Sequence, residues 1–239
     1  MESGRISEKR IDESVRRILT GKSWLGLEKN RTVRVDSISS IVGKPSYEVL
    51  AQEISDASVT LLRNNNALLP LSAGSRVHLV TITDQYDSQL GLELQSTLQS
   101  YGVPVELSHL SNESGRERVE EVVSLAQKSD VIVVGVYLSV GAWKGNLRFS
   151  KPLGQFLGSL GTLSKPVIVV AFGDPYVLAS LATTDVVMTP YNGAVLAERS
   201  VGKALVGAIE IKGKLPVTIP GKYRLDSGLG LPAVPRPGK

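Results

Sequence analysis

Six short apolar runs, rich in β-branched residues, recur along this chain with amphipathic segments between them, and that alternation limits its folds more than any other feature. The runs are residues 77–83 (VHLVTIT), 105–110, 131–137 (VIVVGVY), 167–172 (VIVVAF), 185–191 and 215–219 (LPVTI). Between them lie helical stripes: Leu90, Leu94, Leu98 and Tyr101; Val119, Val122, Val123 and Ala126; Leu153, Phe156, Leu157 and Leu160. Gly173-Asp174-Pro175 opens a short helix, and residues 195–209 hold another. A run that is apolar along its whole length reads as a strand covered on both faces. Strands alternating with helices of about 10–15 residues predict a parallel sheet with helices on both sides. The expected fold is α/β: a three-layer α/β/α sandwich with a mostly parallel sheet of about six strands. Pro216 has no N–H for a ladder, which puts the last run at an edge.

The ends differ from the middle. Residues 7–19 predict an extra N-terminal helix, capped by Ser7, with an Ile6–Ile11 staple and a stripe of Ile11, Val15, Ile18 and Leu19. Such a stripe needs cover, either from the domain that follows or because the helix is the last of a preceding domain. Residues 28–44 read as a linker. Pro45-Ser46 opens a second helix with Leu50, Ile54, Ala57 and Leu61 on one face, expected to stop in Arg63-Asn64-Asn65-Asn66. The main domain then spans residues 45–231, and 232–239 form a proline-rich tail.

Composition excludes several classes. With 239 residues the chain is too short for a (β/α)₈ barrel of about 250 beside a second domain. It has no cysteine and two histidines, His78 and His109, so thiolate chemistry and a His-rich metal site are out. No cofactor or metal is expected. No stretch of about 18 apolar residues exists to span a membrane. The pI of about 9.2 comes from the ends: residues 1–44 carry 10 Lys/Arg against 6 Asp/Glu and residues 201–239 carry 7 against 2, whereas 45–200 carry 10 against 15. That distribution, with 5% aromatics, is not a nucleic-acid footprint.

In open α/β sheets ligands sit beyond the strands' carboxyl ends. The candidate cleft-lining residues are therefore Asp84 and Gln85 after the 77–83 run, Trp143 and Arg148 after 131–137, Asp174 after 167–172, and Asn192 after 185–191. Asp174 before Pro175 also suits a helix N-cap. Asp84, Asp87 and Asp174 are the loop acids that a glycosidase pair would draw on, although turn formation accounts for them more readily. No phosphate-binding glycine loop or GxSxG elbow occurs. Ser200-Val201-Gly202-Lys203 fits an SxxK pattern but lacks its companion motifs, so Ser200 reads as an ordinary helix residue, and both histidines read as structural.

Three segments, GRISEKRIDESVRRILTGKSWLGL (4–27), SDASVTLLRNNNALLPL (55–71) and GKLPVTIPGKYRLDSGLGL (213–231), together with VVAFGDPYVL (169–178), resemble the family 3 glycoside hydrolases. The first is similar to the end of that family's catalytic barrel, which would make residues 1–27 its remnant. The others are similar to its C-terminal α/β/α domain. The resemblance implies a retaining glycosidase whose nucleophilic Asp lies in the barrel, outside this chain. In the β-glucosidase branch a Glu from the second domain is the acid/base; the comparable stretch here, Val140-Gly141-Ala142-Trp143-Lys144-Gly145-Asn146-Leu147-Arg148, has no carboxylate. That departure points to the bacterial β-N-acetylhexosaminidase branch, whose acid/base His belongs to a barrel loop. No catalytic residue is therefore assigned to this chain. The implied partners are a (β/α)₈ barrel and a carbohydrate, with a weak homodimer expected through an exposed barrel-facing surface. Two alternatives are a stand-alone carbohydrate-binding or interaction module and a β-glucosidase-type domain donating a carboxylate such as Asp84 or Asp174 to a barrel.

Overall fold

Five of the six predicted runs form strands in the computed structural model, which describes residues 5–138 and 149–234. Two compact units are present, one up to Tyr47 and one from Glu48 onward. In the first, α1 (Glu8–Trp24) starts where Ser7 predicts, with the Ser7 hydroxyl accepting from the Arg10 N–H at 3.2 Å. The helix continues past Gly21, a tolerable residue at about 1 kcal/mol relative to alanine, and none of its residues is buried. A 3₁₀ turn (Val35–Ser37) and the short α2 (Ile38–Ile41) occupy part of the expected linker.

The second unit takes up most of α3 (Pro45–Ser58) and continues through β1 (Thr60–Asn64), β2 (Val77–Thr83), α4 (Leu92–Ser100), β3 (Val105–Ser111) and α5 (Arg116–Ala126). After β4 (Val131–Leu138) come α6 (Lys151–Ser159), β5 (Val167–Gly173), a 3₁₀ turn (Pro175–Ala179), β6 (Val186–Thr189) and α7 (Val195–Leu205). The sheet order is β1-β6-β5-β4-β2-β3, parallel throughout except for the antiparallel β1–β6 pair. Because side chains alternate across a strand, each strand feeds two cores. Val77, Leu79, Val133 and Ile168 pack with Leu94 and Leu98 of α4 and Val201 and Leu205 of α7. Val80, Ile82, Val134 and Val169 pack on the other face with Val119 and Val122 of α5 and Leu153 and Phe156 of α6. These are the three layers that the alternation implied.

Three expectations are corrected. The second helix does not run on to the asparagines: it ends at Ser58, and residues 60–64 form the antiparallel edge strand β1. Val59, Thr60, Leu61 and Leu62 are all buried, and two of them are β-branched, so extended backbone against β6 covers more of them than a further helical turn. Conversely, residues 215–219 are not a strand. Leu215 and Ile219 are fully buried, but Ile219 makes only an isolated bridge to Tyr223, and Pro216 and Pro220 deny the segment regular ladder donors. The sixth strand is thus β1 rather than the C-terminal run. Helix α7 also stops four residues early, at Leu205, and the chain turns away through Gly207 in left-handed conformation (φ 71°), with the Ala208 N–H returned to the Lys203 carbonyl at 2.8 Å.

Candidate functional site

Strand β2 lies between β3 and β4, so the chain leaves its carboxyl end in one direction to reach β3 and crosses back to reach β4. Such a reversal opens a crevice beyond the strand ends. A cleft of about 390 Å³ lies there, lined by Thr83 to Asp87 and Leu90 after β2, by Tyr137 and Leu138 of β4, by Phe172 and Gly173 of β5, and by Gly193 before α7.

Of the six candidate residues, Asp84 and Gln85 line this cleft. Asp84 is half-buried; Gln85, Tyr86 and Asp87 are exposed. Asp174 and Asn192 are not lining residues. Their carboxylate and amide oxygens accept from the Tyr176 N–H at 2.9 Å and the Ala194 N–H at 3.0 Å, each capping a turn, while the neighbouring Gly173 and Gly193 form the wall. Trp143 and Arg148 lie outside the described residues.

The floor was not foreseen. Tyr137 and Phe172 stack with centroids 4.3 Å apart and planes 6° from parallel. Space for the stack comes from Gly135, where a Cβ would stand 2.9 Å from Tyr137 Cε2 and 3.3 Å from Phe172 Cε2. Below the floor, the carboxylate of Glu198 is 3% exposed and accepts four hydrogen bonds: Gly91 N at 2.8 Å, Glu93 N and Leu94 N at 3.1 Å each, and the Tyr137 hydroxyl at 2.8 Å. Burial, reinforced by the neighbouring Glu198 carboxylate, pushes the Tyr137 hydroxyl well above its ordinary value of 10. The ring is therefore a neutral, anchored donor. One signal in the sequence marked Glu198: it stands three residues before Val201 on the apolar stripe of α7, where a carboxylate needs partners.

Neither histidine enters the cleft lining. His78 is 2% exposed, with Nε2 2.9 Å from the Ser108 hydroxyl and Nδ1 3.6 Å from the Glu106 carboxylate. The order Ser–His–acid is that of a hydrolase triad, but both the serine and the histidine are buried, whereas a triad serine must meet its substrate. His109 Nδ1 pairs with the Thr81 hydroxyl at 2.7 Å, and its ring stands edge-on to Tyr86. Burial lowers both imidazoles below the ordinary 6.5. With a depressed folded value, the unfolded chain binds more protons below about pH 6.5, so their contribution to stability is complete above that pH and is lost as pH falls. Denaturation at about pH 8 and about pH 5 should show this loss, and His78→Gln should flatten it; equal slopes for variant and parent would contradict the assignment. Among the described residues no group of three or more His, Asp and Glu side chains is placed to hold a metal ion.

Comparison with known proteins places this architecture. The family model described as the glycosyl hydrolase family 3 C-terminal domain matches residues 59–229. The fold superposes on a glycoside hydrolase family 3 beta-N-acetylglucosaminidase from Paenibacillus sp. str. FPU-7 with a TM-score of 0.71 and 26% identity, covering 90% of this chain and 40% of that one. A putative beta-xylosidase of Formosa agariphila is 26% identical over 237 residues, 89% of this chain and 31% of its own length. A beta-N-acetylglucosaminidase/beta-glucosidase of Cellulomonas fimi is 23% identical over 225 residues, 90% of this chain and 40% of its own. The chain thus spans well under half of the relatives it matches. Residues 59–229 carry the match and hold all six strands of the sheet, and on that ground the chain belongs to the glycosyl hydrolase family 3 C-terminal domain family.

Proposed function

We propose that this domain serves a β-N-acetylhexosaminidase-like glycosidase by packing on a catalytic (β/α)₈ barrel and lending its cleft as one wall of the sugar site. The cleft at the strand reversal carries this reading: it combines carboxylates (Asp84, Asp87), an amide (Gln85) and an exposed tyrosine ring (Tyr86). Carboxylates and amides bond sugar hydroxyls, and an aromatic face packs on the C–H face of a pyranose. The parent reaction would be retaining hydrolysis of terminal β-linked N-acetylhexosamine, with nucleophile and acid/base supplied by the barrel. The expected boundaries, with 1–27 as barrel remnant and 28–44 as linker, belong to the same proposal.

A second reading rests on Asp84. Asp84 lines the cleft and Asp174 does not, which makes Asp84 the better placed of the two acids proposed as a donated carboxylate.

Three measurements separate these readings. The chain alone, incubated with a chromogenic β-N-acetylglucosaminide, should give no turnover above background, and turnover that survives repurification would overturn the proposal. Saturable binding of N-acetylglucosamine by the chain alone, lost in Asp84→Ala, would instead identify a stand-alone carbohydrate-binding module. When a barrel is supplied, loss of turnover in Asp84→Ala that Asp84→Asn does not restore would favour the donated carboxylate.

A further inference from the structure

Strand β3 closes one end of the sheet, and among the described residues no strand pairs with its free side. The opposite edge is different: the C-terminal segment lies on β1, with the Leu229 N–H donated to the Leu61 carbonyl at 2.7 Å. An open edge offers unpaired N–H and C=O groups to any strand that meets it. Which groups β3 offers follows from its register. Val77 is aligned with Val105, and its N–H donates to the Pro104 carbonyl at 2.9 Å. Bonding residues alternate along such a ladder, so Glu106, Ser108 and Leu110 turn their backbone groups to β2. Val105, Leu107, His109 and Ser111 turn theirs outward.

The domain's own side chains close the two ends of that outward row. The Val105 carbonyl accepts from Gln95 Nε2 at 3.1 Å and from Gln99 Nε2 at 3.4 Å, both on α4. Ser114 closes Ser111: its hydroxyl accepts the Ser111 N–H at 3.0 Å, and its N–H donates to the Ser111 carbonyl at 2.9 Å. Leu107 and His109, one on each side of Ser108, keep outward N–H and C=O groups with no partner among the described residues. Charge is also unevenly placed along the strand. Glu106, near its start, has a side chain 79% exposed. Exposed Arg118, in the first turn of α5, stands near the other end, close enough to act electrostatically on His109. Glu106 and Leu110 are about 13 Å apart along the strand, so the acid and the base lie at opposite ends of one edge.

We infer that the open edge of β3 docks β3 of a second copy of this chain, the two strands running antiparallel about Ser108. In that register Leu107 lies opposite His109 of the other copy, and each such pair exchanges both of its backbone bonds. The engaged Val105 carbonyl then meets the engaged Ser111 N–H. A foreign strand with free groups along its whole length would find its ladder cut short at both ends, whereas a second β3 is closed at the same places. Charge selects the same occupant. The register carries Glu106 opposite Leu110 of the other copy, the end of the strand where Arg118 stands, and two-fold symmetry makes that pairing twice. An isologous contact uses the open edge of both copies, so assembly stops at a dimer. The inference stands apart from the function proposed above, because none of the cleft's acids takes part in it.

The test uses the 239-residue chain. Sedimentation carried up to about 1 mM, the weak end of measurable association, should show a reversible equilibrium between monomer and dimer. Amide exchange followed by NMR over the same concentrations should slow at Leu107 and His109 by about tenfold or more as the dimer fills. Leu107→Pro removes an outward donor while leaving the bonds to β2 in place, and should weaken association about 10–30-fold. Leu107→Ala keeps the N–H and should weaken it by less than about threefold, which separates the lost bond from lost packing. Glu106→Lys should weaken association by about 3–10-fold, and adding Arg118→Glu to it should restore the parental value. That exchange of charges leaves the backbone alone and gives a reading if the proline variant misfolds. A chain that stays monomeric throughout overturns the inference. So does a dimer whose Leu107 and His109 amides exchange as fast as in the monomer, or one that neither the proline nor the charge exchange affects.

Discussion

Glu198→Ala should lower the stability of the domain by about 3–5 kcal/mol, the range for removing one member of a buried, charge-assisted network. Helix α4 explains the size of the effect. It begins at Gly91 in left-handed conformation (φ 86°), with no side chain of its own to cap it. The first N–H groups of any helix lack intrahelical acceptors, and here those of Gly91, Glu93 and Leu94 all turn to the Glu198 carboxylate. A negative charge at that end also suits the helix dipole. Alanine would leave these donors and the Tyr137 hydroxyl without their acceptor under the cleft floor. Glu198→Gln keeps the shape but points an amide N–H₂ at other donors, and should recover only part of the loss. Urea denaturation of the three proteins measures it directly. A loss below about 1 kcal/mol for alanine would mean that water replaces the carboxylate, and that the floor is not built on Glu198.

Phe172→Ala should be comparably destabilising, by about 3–5 kcal/mol, through lost burial and the cavity left behind. The side chain is 1% exposed and lies flat on Tyr137 above Gly135, a position at which any Cβ would collide with the stack. Removing one ring leaves Tyr137 supported on one side only, so the cleft floor should loosen as stability falls. Phe172→Leu retains most of the volume and should cost under about 1.5 kcal/mol. The pair separates packing from aromatic geometry: equal losses for alanine and leucine would show that the stack itself, rather than filled volume, holds the floor. Losses under about 1 kcal/mol for both would mean that the core closes over the site.

Much of the fold was legible because each strand records its own burial. VIVVGVY and VIVVAF are apolar at every position, and β4 and β5 are the strands covered on both faces at the centre of the sheet. Ser7 and Asp174 announced their caps because capping is local: Ser7 accepts from three residues on and Asp174 from two residues on. The failures were also local in origin. Residues 60–64 satisfied a helical stripe through Leu61, and only pairing with β6 decided for a strand. Residues 215–219 have strand composition, but two prolines and the return of the chain to Tyr223 prevent a ladder.

The candidate site divides in the same way. That a cleft opens at strand carboxyl ends followed from the βα alternation, and Asp84 and Gln85 line it. It did not separate the lining residues from the caps at Asp174 and Asn192, since both roles use the same residue types in the same loops.

By itself, then, the sequence determined the layer architecture and the ends of the strands where a cleft could open, because periodicity and capping act over a few residues. Only the tertiary structure decided which strand is left at an open edge, where the sheet reverses, and that Glu198 would cap a helix beginning 107 residues before it in the chain. An apolar stripe states that a face wants cover without saying what covers it, and a buried carboxylate states that it needs donors without naming them. Both answers depend on which segments folding brings side by side, and no local pattern carries that information.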